Sequence, residues 1–343
     1  GIKFFNHSGN KLTVEEEDEI ERIYYDEGKL HQAFEVDKFI GSSKRIDDVI
    51  GRYIVHLKNS FPKNLTMAGV RIVLDTANGA GYKVAPQIFE ELGAEVLVIH
   101  DKPNGLNINE DCGALHHQQL AKEVVKLRAN VGLALDGDAD RLVVIDERGD
   151  KIDGDNVMAS IATHLKDNDL LKNNAVVSTK LSNSALSEYL KGQKIKHFAT
   201  DVGDRNVTMK MNEQGLNFGG EESGHIIFSD YASTGDGILT ALQIIAILIS
   251  SKQEASRVLR KFKPYQVITK NLKVTDKKEL GNIKELTDFQ QNLDKQKIKN
   301  IIRYSGTENV LRLLLESPLS QKELEIQMND LLALLEKHIS FSY

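Results

Sequence analysis

Short apolar runs alternate with longer amphipathic stretches through the first half of the chain, and this pattern limits the fold more than any other feature. The runs at 71–75, 95–99 and 131–135 have the length of buried strands. The stretches at 82–92 and 115–127 have the length and apolar spacing of helices. Strands that alternate with helices of this length predict a mostly parallel, doubly wound sheet.

The alternation begins again in the middle of the chain and changes character towards its end. Predicted strands at 175–179 and 195–200 and predicted helices at 183–190 and 203–212 indicate a second α/β domain. Beyond Pro264 a Lys-rich order of strand, helix, strand, strand and helix indicates a small α+β domain. The expected fold class is therefore α/β, with tandem mixed or parallel α/β domains followed by a small α+β C-terminal domain.

Composition excludes several classes of function. A net charge of −6 gives no reason to expect nucleic acid or an anionic membrane as a partner. The longest apolar stretch, at 238–249, is too short to span a bilayer, and the N-terminus has no signal-peptide pattern. The single cysteine, Cys112, fits a reducing compartment, so a cytoplasmic location is expected. The sequence is compatible with a homodimer without requiring one.

Three aspartates at alternate positions follow the predicted strand at 131–135, and an apolar run at 142–145 follows them. Like charges in a tight turn repel one another, so Asp136, Asp138 and Asp140 predict a site for a hard cation such as Mg²⁺ or Ca²⁺. The alternatives are a solvated acidic turn and a haloacid-dehalogenase-like phosphatase, in which the first Asp is a nucleophile. An EF-hand is disfavoured because Arg141 stands where its loop needs Gly.

A second polar turn joins two predicted strands near the C-terminus. Arg303, Ser305, Gly306, Thr307 and Arg312 offer hydroxyls, backbone N–H groups and forked cationic donors, which suit a phosphate monoester. A polar hairpin with a surface arginine is the alternative.

A third candidate site is the segment 219–225. Its glycines allow close backbone approach to a ligand, and Glu221, Ser223 and His225 could contact sugar hydroxyls. An ordinary turn with a hydrogen-bonded histidine is the alternative. Arg205, at the start of a predicted helix, could attract an anion. The glycine-rich segment 76–81 lacks a phosphate-loop ending, and we interpret it as a turn.

These motifs, in this order, resemble the α-D-phosphohexomutase superfamily over nearly the whole chain. Its metal loop DGDxDR matches 136–141, its sugar loop GExSGH matches 220–225, and its phosphate loop RxSGTE matches 303–308 with a later arginine. Within the superfamily the chain is most similar to the bacterial phosphoglucosamine mutase family, from the VGDR segment at 202–205 and the stretch at 104–113. Glu222 replaces a usual Gln, and Asn309 replaces a frequent Pro.

The resemblance implies an isomerase that interconverts glucosamine 6-phosphate and glucosamine 1-phosphate through a phosphoserine and a bisphosphate, for amino-sugar and cell-wall precursor synthesis. It implies that Asp136, Asp138 and Asp140 hold Mg²⁺, that Arg141 steadies the transferring group, and that the partner is a small phosphosugar. The remaining implied ligands fall in two sets: sugar-binding Glu221, Ser223, His225 and Arg205, and phosphate-binding Arg303, Ser305, Gly306, Thr307 and Arg312.

One implied residue is missing from the sequence. The family's phosphoserine lies in an SHNP segment just before GIKFF, and this chain starts at GIKFF without Met. We therefore expect a fragment that is inactive by itself. The alternatives left open are a phosphomannomutase or phosphoglucomutase and a non-catalytic phosphosugar-binding module. The predicted domains are the tail of a truncated first α/β domain at 1–45, a metal-binding α/β domain at 46–168, a sugar-binding α/β domain at 169–262 and a phosphate-binding α+β domain at 263–343.

Overall fold

The computed structural model describes residues 4–7, 9, 11–26, 28, 48–305 and 308–342. Gly306 and Thr307 therefore lie outside the described residues. The acidic sequence at 13–36 predicts a helix with Thr13 as its N-cap and Glu16 three residues later, and most of that helix beyond Tyr25 also lies outside them. Within the described residues the helices are α1 (Val14–Tyr25), α2 (Val49–Lys58), α3 (Val84–Glu91), α4 (Gln118–Leu127), α5 (Gly154–Asp167), α6 (Ser184–Gly192), α7 (Asp204–Gln214), α8 (Gly237–Ser251), α9 (Ala255–Val258), α10 (Lys284–Lys295) and α11 (Gln321–Glu336).

The strands form three sheets, and those at the six positions given above (71–75, 95–99, 131–135, 142–145, 175–179 and 195–200) begin and end within one residue of those positions. They are β1 (Arg71–Asp75), β2 (Glu95–Ile99), β3 (Val131–Leu135), β4 (Leu142–Asp146), β5 (Lys151–Ile152), β6 (Ala175–Thr179), β7 (Lys196–Thr200), β8 (Phe218–Gly220), β9 (Ile226–Phe228), β10 (Gln266–Val274), β11 (Lys299–Tyr304), β12 (Val310–Ser317) and β13 (Phe341–Ser342).

The first sheet has the order β2-β1-β3-β4-β5 and is mixed. Strand β1 runs parallel to β2 and β3, whereas β3–β4 and β4–β5 are antiparallel. The expectation of a mostly parallel sheet is thus met for β1, β2 and β3 but not for β4 and β5. The loop 136–141 between β3 and β4 is too short for a parallel crossover, so these two strands must be antiparallel. Helix α4 packs closely on β3, since a Cβ at Gly132 would lie 2.5 Å from Val124.

The second sheet, β7-β6-β8-β9, carries the segment 219–225 at the turn between its last two strands. Strands β7 and β8 run parallel to β6, and β9 is antiparallel to β8. Helix α7 covers this sheet with Val207 and Met211, which are fully buried. Helix α8 is buried from Gly237 to Leu248, as its apolar sequence predicts.

The third sheet, β11-β12-β10-β13, is antiparallel throughout and is covered by α10 and α11. Helix α6 contacts this sheet despite its position in the sequence. The backbone N–H of Ser184 donates to the buried Glu316 carboxylate (2.8 Å), which also lies 3.3 Å from Lys299 Nζ.

Contacts between residues divide the chain into two compact units. One comprises Gly1–Leu181 and Lys194–Lys261, and the other comprises Ser182–Gln193 and Phe262–Tyr343. The predicted division into four domains, with boundaries after residues 45, 168 and 262, stays a prediction. No helix among the described residues combines the length and hydrophobicity that a transmembrane span requires.

Candidate active site

The acidic loop 136–141 forms a compact group of carboxylates between the antiparallel strands β3 and β4. One carboxylate oxygen from each of Asp136, Asp138 and Asp140 lies within 4.8 Å of the other two. The backbone turns back on itself at Ala139 (φ 61°), whose N–H donates to the Asp136 carbonyl at 3.0 Å. The Arg141 backbone N–H donates to Asp136 Oδ1 at 3.1 Å, which orients this carboxylate into the turn.

The electrostatics of the loop favour a bound divalent cation. Burial and the neighbouring Asp140 carboxylate raise the pKa of Asp136 to about 6. The Arg141 guanidinium only partly offsets this repulsion, because its Nε lies 4.0 Å from both Asp136 and Asp140. Three oxygen donors from carboxylates are the set that Mg²⁺ and Ca²⁺ prefer. The residues present therefore fit the magnesium ion that the sequence implies.

The glycine-rich segment 76–81 supports the acidic loop from the first sheet. The Ala80 backbone N–H donates to the Gly137 carbonyl at 2.8 Å. A Cβ at Gly79 would stand 2.3 Å from that same oxygen, so only glycine allows the two turns to approach this closely. The segment is a turn that contacts the acidic loop, which agrees with its interpretation from the sequence.

The predicted sugar loop docks directly onto the end of the metal loop. The Leu142 N–H donates to the Gly224 carbonyl at 3.1 Å. Gly224 has a φ of 91°, and a Cβ there would lie 2.1 Å from the Leu142 carbonyl oxygen. Two of the motifs predicted from distant parts of the sequence are therefore adjacent, and glycine is required at their junction.

His225 links the sugar loop to carboxylates on both sides. Its side chain is 4% exposed, with Nδ1 3.5 Å from Asp140 Oδ1 and Nε2 3.6 Å from Asp204 Oδ2. The Gly235 N–H donates to Nε2 at 3.1 Å, which makes Nε2 the acceptor and leaves the proton on Nδ1, facing Asp140. The ring is thus placed to orient the carboxylate of Asp140, one of the predicted metal ligands.

Glu221 and Ser223 have different surroundings from His225. Glu221 Oε1 accepts from the Gly203 backbone N–H at 3.0 Å, and Ser223 Oγ donates to Glu221 Oε2 at 3.5 Å. The first bond joins the sugar loop to the 202–205 segment. Glu222 accepts from Thr179 Oγ1 at 3.1 Å.

The 202–205 segment makes its ion pairs with the N-terminal residues of the chain. Asp204 pairs with Lys11, and Arg205 Nη2 lies 2.7 Å from Glu17 Oε1 on α1. Burial by itself raises the pKa of Asp204, but the Lys11 ammonium outweighs it and the net pKa is below the usual value. In this structure Arg205, predicted to bind substrate, is engaged with a carboxylate of the protein.

The sequence analysis missed the support given by the segment before α8. The Gly237 N–H donates to the Ala139 carbonyl at 2.9 Å, and a Cβ at Gly235 would stand 2.5 Å from the His225 ring. Asp236 caps α8 by accepting from Ile238 and Leu239 N–H groups, and Tyr53 donates to it at 2.6 Å. Two glycines around an N-cap aspartate were the signal in the sequence.

The predicted phosphate loop lies in the C-terminal unit. Arg303 and Arg312 are direct cross-strand partners on β11 and β12. Like charges in this position are unfavourable unless an anion or acid offsets them, and Glu308 Oε2 lies 3.0 Å from Arg312 Nη2. The Ser305 carbonyl accepts from Lys277 Nζ at 3.0 Å, which adds a cation that the sequence analysis did not single out.

Comparisons with known proteins match these features to one family. Family models for phosphoglucomutase/phosphomannomutase match its α/β/α domain II at residues 51–149, α/β/α domain III at 153–265 and C-terminal domain at 270–334. The phosphoglucosamine mutase of Campylobacter curvus is 54% identical over 330 residues, which are 96% of this chain and 74% of that protein. The chain belongs to the phosphoglucosamine mutase family.

Other relatives agree with this assignment to the phosphoglucosamine mutase family. The phosphoglucosamine mutase of Nitratiruptor sp. is also 54% identical, over 99% of this chain and 76% of its own length. Two solved structures share the fold at 20% identity. The first is a phosphoglucomutase/phosphomannomutase family protein from Burkholderia thailandensis, with a TM-score of 0.75. The superposition covers 95% of this chain and 72% of that protein. The Aspergillus fumigatus N-acetylphosphoglucosamine mutase, solved with GlcNAc-6P and magnesium, has a TM-score of 0.65, with 83% of this chain and 68% of that one covered.

Proposed function

We propose that this protein interconverts glucosamine 6-phosphate and glucosamine 1-phosphate. The observation that carries the proposal is the direct docking of the sugar loop on the metal loop through Leu142 and Gly224, in a chain 54% identical to phosphoglucosamine mutases. The proposed substrate is a phosphosugar, and the proposed place of action is the cytoplasm, where soluble sugar phosphates are handled.

Asp136, Asp138 and Asp140 would hold Mg²⁺ in this proposal. The bound ion would supply charge neutralisation for a phosphoryl group during its transfer. The chain's own residues prepare this site: the Arg141 N–H orients Asp136, and His225 Nδ1–H faces Asp140. The Arg141 guanidinium, half exposed beside the loop, is the group proposed to steady the transferring phosphoryl group.

Glu221 and Ser223 are the proposed sugar ligands. Both lie in the loop that docks on β4, and each offers an acceptor or hydroxyl for a sugar hydroxyl. His225 acts on the substrate through Asp140, since its ring is buried and both of its nitrogens already face protein groups. Arg205 would contribute after release from Glu17.

The unreactive phosphate is proposed to bind in the C-terminal unit. Arg303 and Arg312 stand side by side on β11 and β12, so a phosphate between them would relieve their repulsion. Ser305 is buried at the start of the turn, and Gly306 and Thr307 complete the proposed ligand set from its sequence.

The test is a coupled assay on the protein expressed from its complete reading frame. Glucosamine, glucose and mannose phosphates are compared at saturating Mg²⁺, and the highest kcat/KM is expected for the glucosamine phosphates. A higher kcat/KM for a mannose or glucose phosphate would instead assign a phosphomannomutase or phosphoglucomutase. Binding of all three sugar phosphates without turnover of any would assign a phosphosugar-binding module.

A further inference from the structure

Three chemically different side chains that could bind a metal lie together at the carboxyl ends of β1 and β2, and none of them belongs to the acidic loop. They are the carboxylate of Asp75 at the end of β1, the imidazole of His100 after β2, and the thiol of Cys112. Their ligand atoms all lie within 4.8 Å of one another. Asp75 and Cys112 are fully buried, and the His100 side chain is 20% exposed.

Two features hold the His100 imidazole in place: the backbone conformation of His100 and a contact of ring atom Nε2. Its φ is 53°, a left-handed conformation that a non-glycine residue seldom adopts. The His100 carbonyl fixes this conformation by accepting from Thr76 Oγ1 and from the Asn78 backbone N–H, both at 2.7 Å. Nε2 lies 3.2 Å from Gln119 Oε1, so the ring is constrained on the side away from the cluster.

The other nitrogen of His100 points into the cluster without a satisfied hydrogen bond. Nδ1 is buried and lies 3.0 Å from Asp75 Oδ2, but among the described residues no group meets it in hydrogen-bond geometry. Asp75 is itself held by the N–H groups of Ala77 and Gly113, each at 2.9 Å. A nitrogen lone pair and a carboxylate oxygen at this separation are spaced as two ligands of one cation would be, roughly 3.2 Å apart around tetrahedral zinc.

We propose that Asp75, His100 and Cys112 form a second metal site, which takes Zn²⁺ or a similar borderline cation. The donor set of one nitrogen, one oxygen and one sulfur suits zinc and is unlike the all-oxygen set of the acidic loop. Three protein ligands leave a fourth position for water. The thiol enters the site as a thiolate, and its proton passes to solvent.

A cation at this site would stabilise the 104–113 stretch, which contacts the acidic loop. Cys112 and Gly113 end the 104–113 stretch, whose Asn109 N–H donates to the Ala77 carbonyl at 3.0 Å. A Cβ at Gly137 of the acidic loop would lie 2.7 Å from Ile108 in the same stretch. A cation that joins Cys112 to Asp75 and His100 would therefore fix the stretch on which the acidic loop rests.

Cobalt(II) is the probe that tests the proposal, because thiolate ligation gives Co²⁺ an intense near-ultraviolet charge-transfer band. Cys112 is the one cysteine among the 343 residues, so any such band reports this site. The purified chain is titrated with Co²⁺ in a large excess of Mg²⁺, which occupies the acidic loop. The expected result is a band that saturates at one equivalent and disappears when one equivalent of Zn²⁺ is added.

Variants locate the ligands. The substitution Cys112→Ser should abolish the band, and His100→Gln should weaken Co²⁺ binding by more than about 100-fold, since losing even an outer partner costs roughly 10- to 100-fold. Asp138→Asn in the acidic loop and His338→Gln in the C-terminal unit are the matched controls and should leave the band unchanged. Absence of the band in the unmodified chain overturns the proposal whatever the variants do, as does Co²⁺ binding that Asp138→Asn alone removes.

Discussion

The acidic loop brings three carboxylates close together in a partly buried turn. In the folded protein the pKa of Asp136 is raised to about 6, because burial and the Asp140 carboxylate disfavour its charged form. In the unfolded chain the same group ionises near its ordinary value of about 3.9. Between these two values the folded state binds more protons, so this residue's contribution to stability falls as pH rises from about 4 to 6.

Replacement of Asp136 by Asn should therefore stabilise the metal-free protein at neutral pH. We expect a gain of about 1–2 kcal/mol in the free energy of unfolding at pH 7 with chelator present, shrinking towards zero at pH 4. Urea unfolding of both proteins at several pH values measures the difference. Added Mg²⁺ should stabilise the unmodified protein and have little effect on the variant. If the stability gain of the Asn variant over the unmodified protein were smaller at pH 7 than at pH 4, the raised pKa of Asp136 would be contradicted.

The buried ring of His225 makes a separate prediction at this scale. Because Nδ1–H faces Asp140, His225→Gln should lower Mg²⁺ affinity by about 10- to 100-fold, as expected when a metal ligand loses its supporting group. Calorimetric titration with Mg²⁺ measures the affinity. The half-exposed His338, distant in sequence and in the other unit, gives the control His338→Gln. Equal Mg²⁺ affinities of the two variants would remove His225 from its positioning role.

At the scale of elements, the acidic loop and the segment 219–225 both lie between strands, and glycines set how closely these loops approach their neighbours. Gly79, Gly137, Gly224 and Gly237 each stand where a Cβ would lie under 3.0 Å from another loop. The acidic loop and the start of β4 are thus contacted by four separate segments of the first unit: 76–81, the 104–113 stretch, 219–225 and the start of α8. Helices and strands position these loops through β3, β4 and the start of α8.

Substitution of Gly224 by Ala tests this close packing. A Cβ there would lie 2.1 Å from the Leu142 carbonyl at a φ of 91°, so we expect a loss of more than about 2 kcal/mol in unfolding free energy. Gly51→Ala is the matched control, since nothing lies within 4 Å of its Cβ position inside α2, and it should gain about 0.5–1 kcal/mol. Thermal and urea unfolding of the two variants give both values. Similar stabilities for the two would show that the loops do not need this contact.

On the scale of the whole molecule, compact units do not follow sequence order. Helix α6 lies between β6 and β7 in the chain, yet its residues belong to the unit that contains the third sheet. Within this unit the buried Glu316 carboxylate of β12 accepts from the Ser184 N–H at the start of α6 and faces Lys299. Lys299 Nζ also donates to the Ser182 carbonyl at 2.5 Å.

Removal of the Glu316 carboxylate should loosen α6 selectively. Glu316→Ala leaves the Ser184 N–H and Lys299 without their partner, and we expect a cost of about 1–3 kcal/mol. Hydrogen exchange should show lost protection in the amides of α6, with β1 to β3 unchanged. The exposed Glu325 on α11 provides the control Glu325→Ala, with a change within about 0.5 kcal/mol. Unchanged exchange in α6 would show that this carboxylate does not hold it.

Sequence predicted most of the regular elements because their signals are local. Four strands coincide with apolar runs that are followed by charged or glycine-rich turns, at 71–75, 95–99, 131–135 and 175–179. Thr13 and Glu16 form the expected capping box at the start of α1. The sequence assigned no direction to β4, which the structure shows to be antiparallel to β3. Apolar periodicity does not report whether neighbouring strands run parallel, whereas loop length does.

The sequence by itself determined the elements, the three motifs and the chemistry that their residue types can support. It also determined the family, since motif order and 54% identity are properties of the chain alone. Only the tertiary structure decided which groups meet: His225 with Asp140 and Asp204, Gly224 with Leu142, and His100 with Asp75 and Cys112. Such contacts join residues far apart in sequence, and they depend on strand register and close packing, which no local pattern of residues encodes.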